Sequence, residues 1–215
     1  MKKLITTMRI KDGGFTIIEL MIATTVFSLV LLLCSFGLIQ IGRTYNKGIT
    51  SARAQETART IMDEVSRAIQ FSGGTVATTA SGRSDGVPYV FCIDERRYSF
   101  VTDRQLKDSP EDNTQVRHVL VADAYPGCSA SSPPLPLTNN SFVLPAGARE
   151  MMASNMRLAR LDITYLGNNL YQVAIRVVAG EDDLLDASHN NCLNVRAGTQ
   201  FCAVSELTTV VQKRL

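Results

Sequence analysis

The sequence of 215 residues contains no tryptophan and two histidines, and neither His118 nor His189 stands next to a cysteine. No CxxC pair is present, so the usual ligand spacing of a structural zinc site is missing and no metal is expected. HExxH, a Walker loop and a glycine-rich dinucleotide fingerprint are absent as well, which removes the commonest routes to metal-assisted hydrolysis, nucleotide chemistry and hydride transfer. Acidic pairs and isolated serines remain, as on any polar surface. The expectation is a chain without a catalytic constellation or a cofactor.

Proline is missing from residues 15 to 71, which permits a long uninterrupted helix. Charge is scarce there too: Glu19 is the only charged side chain between Phe15 and Ile41. An ionised Glu at the centre of a bilayer costs roughly 3 kcal/mol or more, so such a group calls for a partner and marks function. Leu20 to Ile41 is 22 residues. As helix that is about 33 Å, enough for a hydrocarbon core of about 30 Å. No second run of this kind exists, so one span is expected.

Ahead of the run lies a short basic segment with Lys2, Lys3, Arg9 and Lys11 against Asp12. An ordinary secretory signal puts its small-residue cleavage site after the apolar region. Here Gly13 and Gly14 precede it, so a cut between Gly14 and Phe15 removes the charges, keeps the apolar helix, and frees an α-amine four positions before Glu19. The plainer alternative is a signal anchor with Glu19 near the headgroups.

The basic leader, Gly14, the stretch Phe15-Thr16-Ile17-Ile18-Glu19-Leu20 and the long apolar run resemble the class III leader of type IV prepilins and type II secretion pseudopilins. The resemblance implies that a prepilin peptidase cuts after Gly14 and N-methylates Phe15, and that Glu19 is the acidic residue used in assembly. It also implies an α+β, pilin-like fold in which a long N-terminal transmembrane and amphipathic helix packs on an antiparallel β-sheet head. The implied partners are the prepilin peptidase, other minor and major pilins, an inner-membrane assembly platform and the membrane.

The positive-inside bias keeps the leader in the cytoplasm and sends everything beyond Ile41 outward. The expectation is a single-pass protein of the cytoplasmic membrane with an extracytoplasmic head, later at the pilus or cell surface. Cysteine usage agrees: Cys34 lies in the apolar run, whereas Cys92, Cys128, Cys192 and Cys202 form an even set beyond it. Four cysteines allow three pairings. Cys192 with Cys202, closing a small polar loop, is favoured, leaving Cys92 with Cys128. The formal charge is +2, but the leader's four basic residues against Asp12 account for +3, so the remainder stands at −1. That is no nucleic-acid footprint.

The expected organisation is a leader over 1–14, a transmembrane half-helix over 15–42, an amphipathic half over 43–74 and a β-rich head over 75–215. In the amphipathic half Ile49, Ile61, Met62, Val65, Ala68 and Ile69 share one helical face, and Ser72-Gly73-Gly74 is the stop. Gly37, Gly42 and Gly48 are possible bend points. In the head, Val87–Ile93 and Arg97–Val101 predict a hairpin, Val116–Ala122 another strand, and 124–145 an exposed irregular connection rich in Ser, Pro and Asn. Leu161–Leu166, Gly167-Asn168-Asn169 and Leu170–Val178 predict the clearest hairpin, and Leu207–Val211 a closing strand. Glu181-Asp182-Asp183 with Asp186 reads as a solvated turn, because its spacing fits no EF-hand.

A head longer than that of many major subunits and the proline-free helix favour a minor pilin that primes or caps assembly near the filament tip. Retention of Glu19 suits a place behind another subunit. The alternatives are a type II secretion pseudopilin, whose J-type members the Leu161–Val178 hairpin resembles, and an adhesion or DNA-uptake subunit.

Overall fold

The computed structural model describes residues 14–74, 76–77, 86–193 and 197–214, and the statements below concern those residues. The leader through Gly13 lies outside them. The chain divides into two compact units, one ending at Arg43 and one comprising Thr44–Leu215.

One helix, α1 (Ile17–Gln70), belongs to both units and continues through Gly37, Gly42 and Gly48 without interruption. In the first unit every residue from Gly14 to Arg43 is exposed. In the second, Ala54, Thr57, Ala58, Ile61, Met62, Val65 and Ile69 are buried, at the three- and four-residue spacing of one helical stripe. The predicted stripe was slightly different: Ile49 is 37% exposed and Ala68 is partly buried, while the small residues Ala54, Thr57 and Ala58 carry the approach to the head. The helix ends where expected. The Ser72 hydroxyl donates to the Ile69 carbonyl at 2.9 Å, and the Asp94 carboxylate accepts from the backbone N–H groups of Gly73 (3.2 Å) and Gly74 (2.6 Å). A side chain at Gly74 would meet Asp94 Oδ1 at 2.8 Å, so the glycine is needed for that approach.

The head contains eleven described strands: β1 (Tyr89–Ile93), β2 (Arg96–Phe100), β3 (Gln105–Leu106), β4 (Gln115–Val116), β5 (Leu120–Ala124), β6 (Leu137–Thr138), β7 (Ser141–Phe142), β8 (Arg149–Glu150), β9 (Met156–Gly167), β10 (Leu170–Ala179) and β11 (Ala203–Gln212). They form a four-stranded sheet ordered β1-β2-β5-β8, a five-stranded sheet ordered β11-β10-β9-β3-β4 and a small β6-β7 ribbon, so the head has two main sheets where one closing sheet was expected. All pairings are antiparallel except β3 with β4. This is an α+β, pilin-like arrangement. The β1–β2 turn is Asp94-Glu95, with Asp94 at φ 54°, and the β9–β10 turn carries Asn168 and Asn169 at φ 51° and 60°, backbone that asparagine tolerates better than most residues.

Two expectations need correction. The single strand over Val116–Ala122 is broken after Val116, because the Arg117 N–H goes to the Asn140 carbonyl at 2.9 Å and Glu150 takes those of Val119 (2.9 Å) and Leu120 (3.1 Å). The same carboxylate accepts from Met151 and Met152 at 3.0 and 2.8 Å. Nor is the connection over 124–145 simply exposed: it contains the β6-β7 ribbon and buries Leu135, Phe142 and Cys128.

The main core is shared by the helix stripe and both large sheets, with Ile61, Ile69, Phe91, Phe100, Leu120, Leu161 and Ile175 all nearly inaccessible. A satellite core of Val178, Leu184, Leu185 and Cys202 lies under the segment that joins β10 to β11.

Candidate functional site

The helix start was the candidate site, and the structure gives Glu19 an intrachain partner. Thr16 caps α1: its backbone N–H and hydroxyl donate to Glu19 Oε2 at 2.9 and 2.8 Å, and the Glu19 N–H donates back to the Thr16 hydroxyl at 3.3 Å. This is a reciprocal capping box, which ties down donors that a helix otherwise leaves unpaired at its first turn. Thr16 is the site residue that the sequence reading missed, although Thr16-Ile17-Ile18-Glu19 ahead of an apolar run is the pattern of such a box. Both capping bonds use Oε2, and among the described residues no bond is made to Oε1, which can take a further donor. Gly14 and Phe15 precede the helix and are exposed, Phe15 at 88%.

From this point the first unit presents hydrocarbon on every side. None of its apolar stretch is buried, and the helix is long and apolar enough to cross a membrane. Its few hydroxyls are returned to the backbone: Ser28 donates to the Thr24 carbonyl and Ser35 to the Leu31 carbonyl, each at 2.8 Å. Such bonds remove the cost of placing a bare hydroxyl in oil.

The four head cysteines form Cys92–Cys128 and Cys192–Cys202, with Cα separations of 5.6 and 5.8 Å. The first ties β1 to the chain leaving β5, and a buried ion pair lies beside it. Arg97, which faces Cys92 across the ladder, donates from Nε and Nη2 to Asp123 at 3.0 and 2.7 Å and from Nη1 to the Pro133 carbonyl at 3.2 Å. Its guanidinium also lies 4.3 Å from the centre of the Tyr125 ring. These contacts fasten the Ser- and Pro-rich connection to the sheet, and a bidentate pair is the geometry in which a buried Arg and Asp best offset their desolvation.

The second disulfide closes the segment above the satellite core. The acidic run there is more than a solvated turn. Asp182 pairs with the fully buried Arg157, which also donates to the carbonyls of Asp103 and Gly180 at 3.3 Å each. Burial pushes the Asp182 carboxyl up, but the Thr114 hydroxyl and Arg157 outweigh it and hold the group below its ordinary value. Glu181 pairs with Lys107 at 2.7 Å. Asp186 organises the turn, accepting from the Ser188 hydroxyl, the Asn190 and Asn191 N–H groups and the Asn191 amide at 2.9 to 3.3 Å. The Asn191 amide is the largest of the influences that depress its pKa. Among the described residues no group of histidine, cysteine and carboxylate side chains is gathered to hold a metal.

One pattern bears on the expectation that the chain is not an enzyme. Gly82-Arg83-Ser84-Asp85-Gly86 has the GxSxG spacing of a hydrolase nucleophile elbow. Residues 82–85 lie outside the described residues.

A family model described as the prokaryotic N-terminal methylation motif matches residues 9–35, which takes in the basic leader's end, the Gly14–Phe15 junction, the capping box and most of the apolar run. No curated protein and no solved structure matches the chain. The chain thus carries a class III leader, consistent with the type IV pilin and pseudopilin family, and is pilin-like or pseudopilin-like. The motif implies processing by a prepilin peptidase and entry into pilin assembly, and the apolar helix fits a membrane-anchored protein.

Proposed function

We propose that the protein is a minor pilin of a type IV pilus, a structural subunit rather than an enzyme, which primes or caps the filament near its tip after its leader is removed. The observation that carries this reading is the juxtaposition of a cleavable Gly14–Phe15 junction with a carboxylate three residues into a helix that is otherwise uncharged as far as Ile41. Cleavage creates a cation at Phe15. In the precursor, Glu19 is satisfied by Thr16; in an assembly, its free Oε1 accepts the α-amine of a neighbouring subunit. Apolar side chains supply most of the association, and the charge pair sets the register, because a buried carboxylate or amine left unpaired costs several kcal/mol. Methylation keeps the positive charge and adds apolar area.

The proline-free helix and the large disulfide-bonded head support the minor-subunit reading over a major pilin. Of the alternatives, a secretion pseudopilin draws support from the long β9–β10 hairpin. The test is Glu19→Ala in the host. The variant is expected to be processed and membrane-held but to enter filaments at least tenfold less often, and capture of the native protein from solubilised membranes should bring other minor subunits with it. Normal incorporation of the variant, or capture of the major subunit alone, contradicts the reading.

A further inference from the structure

After Glu19 the next acidic residue is Glu56, and the charged side chains between them are all basic: Arg43, Lys47 and Arg53. Arg43 and Lys47 are four residues apart on a helix, the spacing at which like charges repel each other. Neither has an acidic residue three or four positions away, and neither forms an ion pair with a described residue. The later basic residues of α1 differ. Arg59 has Glu56 and Asp63 within reach of a helical turn, and Arg67 has Asp63 and Glu64. Arg43 and Lys47 are both exposed, and between them stands Tyr45, 68% accessible and the only aromatic residue between Phe36 and Phe71.

The position of these residues explains the uncompensated charge. Counted from Ile41, where the apolar run ends, Arg43 and Lys47 are two and six residues on. At about 1.5 Å of rise per residue that is about 3 and 9 Å, the depth of the headgroup layer and within one screening length of it at physiological salt. An aromatic ring beside long basic side chains is the composition that anchors a helix at this level. We propose that Arg43 and Lys47 bind the phosphates of anionic lipids in the extracytoplasmic leaflet, with Tyr45 at an intermediate depth on the opposite helical face. Charge complementarity fixes the occupant: two cations with no carboxylate partner among the described residues stand next to the apolar run, at the depth of the lipid phosphates. The lipid contact holds the subunit at a set depth until assembly draws it out.

The proposal rests on the reading of Leu20–Ile41 as a membrane span, and the test separates the two. The processed protein, residues 15–215, is reconstituted into phosphatidylcholine vesicles containing trace spin-labelled phosphatidylglycerol or spin-labelled phosphatidylcholine. Insertion is checked by resistance to alkaline carbonate, and the motionally restricted lipid fraction is read by electron paramagnetic resonance. A preference for phosphatidylglycerol of about fivefold per basic side chain is expected. It should fall to parity in the double variant Arg43→Gln with Lys47→Gln, survive in Arg43→Lys with Lys47→Arg, weaken in high salt, and be untouched by Arg59→Gln. Parity in the native protein, or a preference that persists in the double Gln variant, overturns the proposal alone. Release of the native chain by carbonate overturns the span and this proposal with it.

Discussion

The two parts of α1 obey opposite rules. From Ile17 to Arg43 nothing is buried, although most side chains are apolar; from Ala54 to Ile69 seven residues are buried, although eight of the nine others are charged or polar. Burial of a large aliphatic side chain stabilises by about 1.5 to 3 kcal/mol. The outer half gains that through Ile61, Met62, Val65 and Ile69 within its own chain, whereas the inner half buries none of its side chains among the described residues. Its sequence is written for surroundings that lie outside the protomer: lipid first and, on the proposed function, neighbouring helices afterwards. The only charge between Ile17 and Ile41, on Glu19, is capped by Thr16, which lets it wait for an external partner.

The comparison breaks most visibly under truncation of a large side chain in each half. Ile61→Ala should destabilise the head by about 3 kcal/mol, read as a lower Tm or denaturant midpoint, and leave membrane retention intact. Leu31→Ala, equally apolar but exposed at 50%, should leave head unfolding unchanged. A loss of head stability in the second variant would mean that the inner half also serves the head.

A smaller effect is expected where the head is held by covalent means. Replacing both Cys192 and Cys202 with Ser should cost about 2 to 3 kcal/mol by the loop-entropy account, and the loss should appear as faster amide exchange over 182–193 with β1 and β2 unaffected. Equal loosening of both sheets would argue that the satellite core is part of the main one.

The smallest effect is a pH dependence confined to the same segment. The Asn191 amide, with the Ser188 hydroxyl and two backbone N–H groups, lowers the pKa of Asp186 on folding. A carboxylate depressed in the folded state contributes stability above its unfolded value of about 3.9 and loses it as the pH falls below that toward the folded value. Exchange protection of 186–191 should therefore fall below about pH 4, and Asp186→Asn should flatten that response.

Much of this could be read in the sequence. The apolar run, the stop at Ser72-Gly73-Gly74 and the β9–β10 hairpin follow from local signals: period, turn residues and alternation. What could not be read depends on partners distant in the chain. The break at Arg117-His118-Val119 arises from Asn140 and Glu150, the shelter of Leu135 and Phe142 comes from a connection pinned by Arg97 and Cys92, and the use of Asp182 depends on the buried Arg157. Thr16 is the exception. Its signal is local: Thr16-Ile17-Ile18-Glu19 carries the hydroxyl and the carboxylate three residues apart, as a capping box requires.

The central claim is that the charged leader is discarded so that a capped carboxylate can meet a newly made cation. Intact-mass and N-terminal analysis of the protein extracted from its host's membranes tests this directly. The expected product lacks residues 1–14, begins with N-methylated Phe15 and carries two disulfides; a mature chain that still begins at Met1 with Lys2 and Lys3 contradicts it.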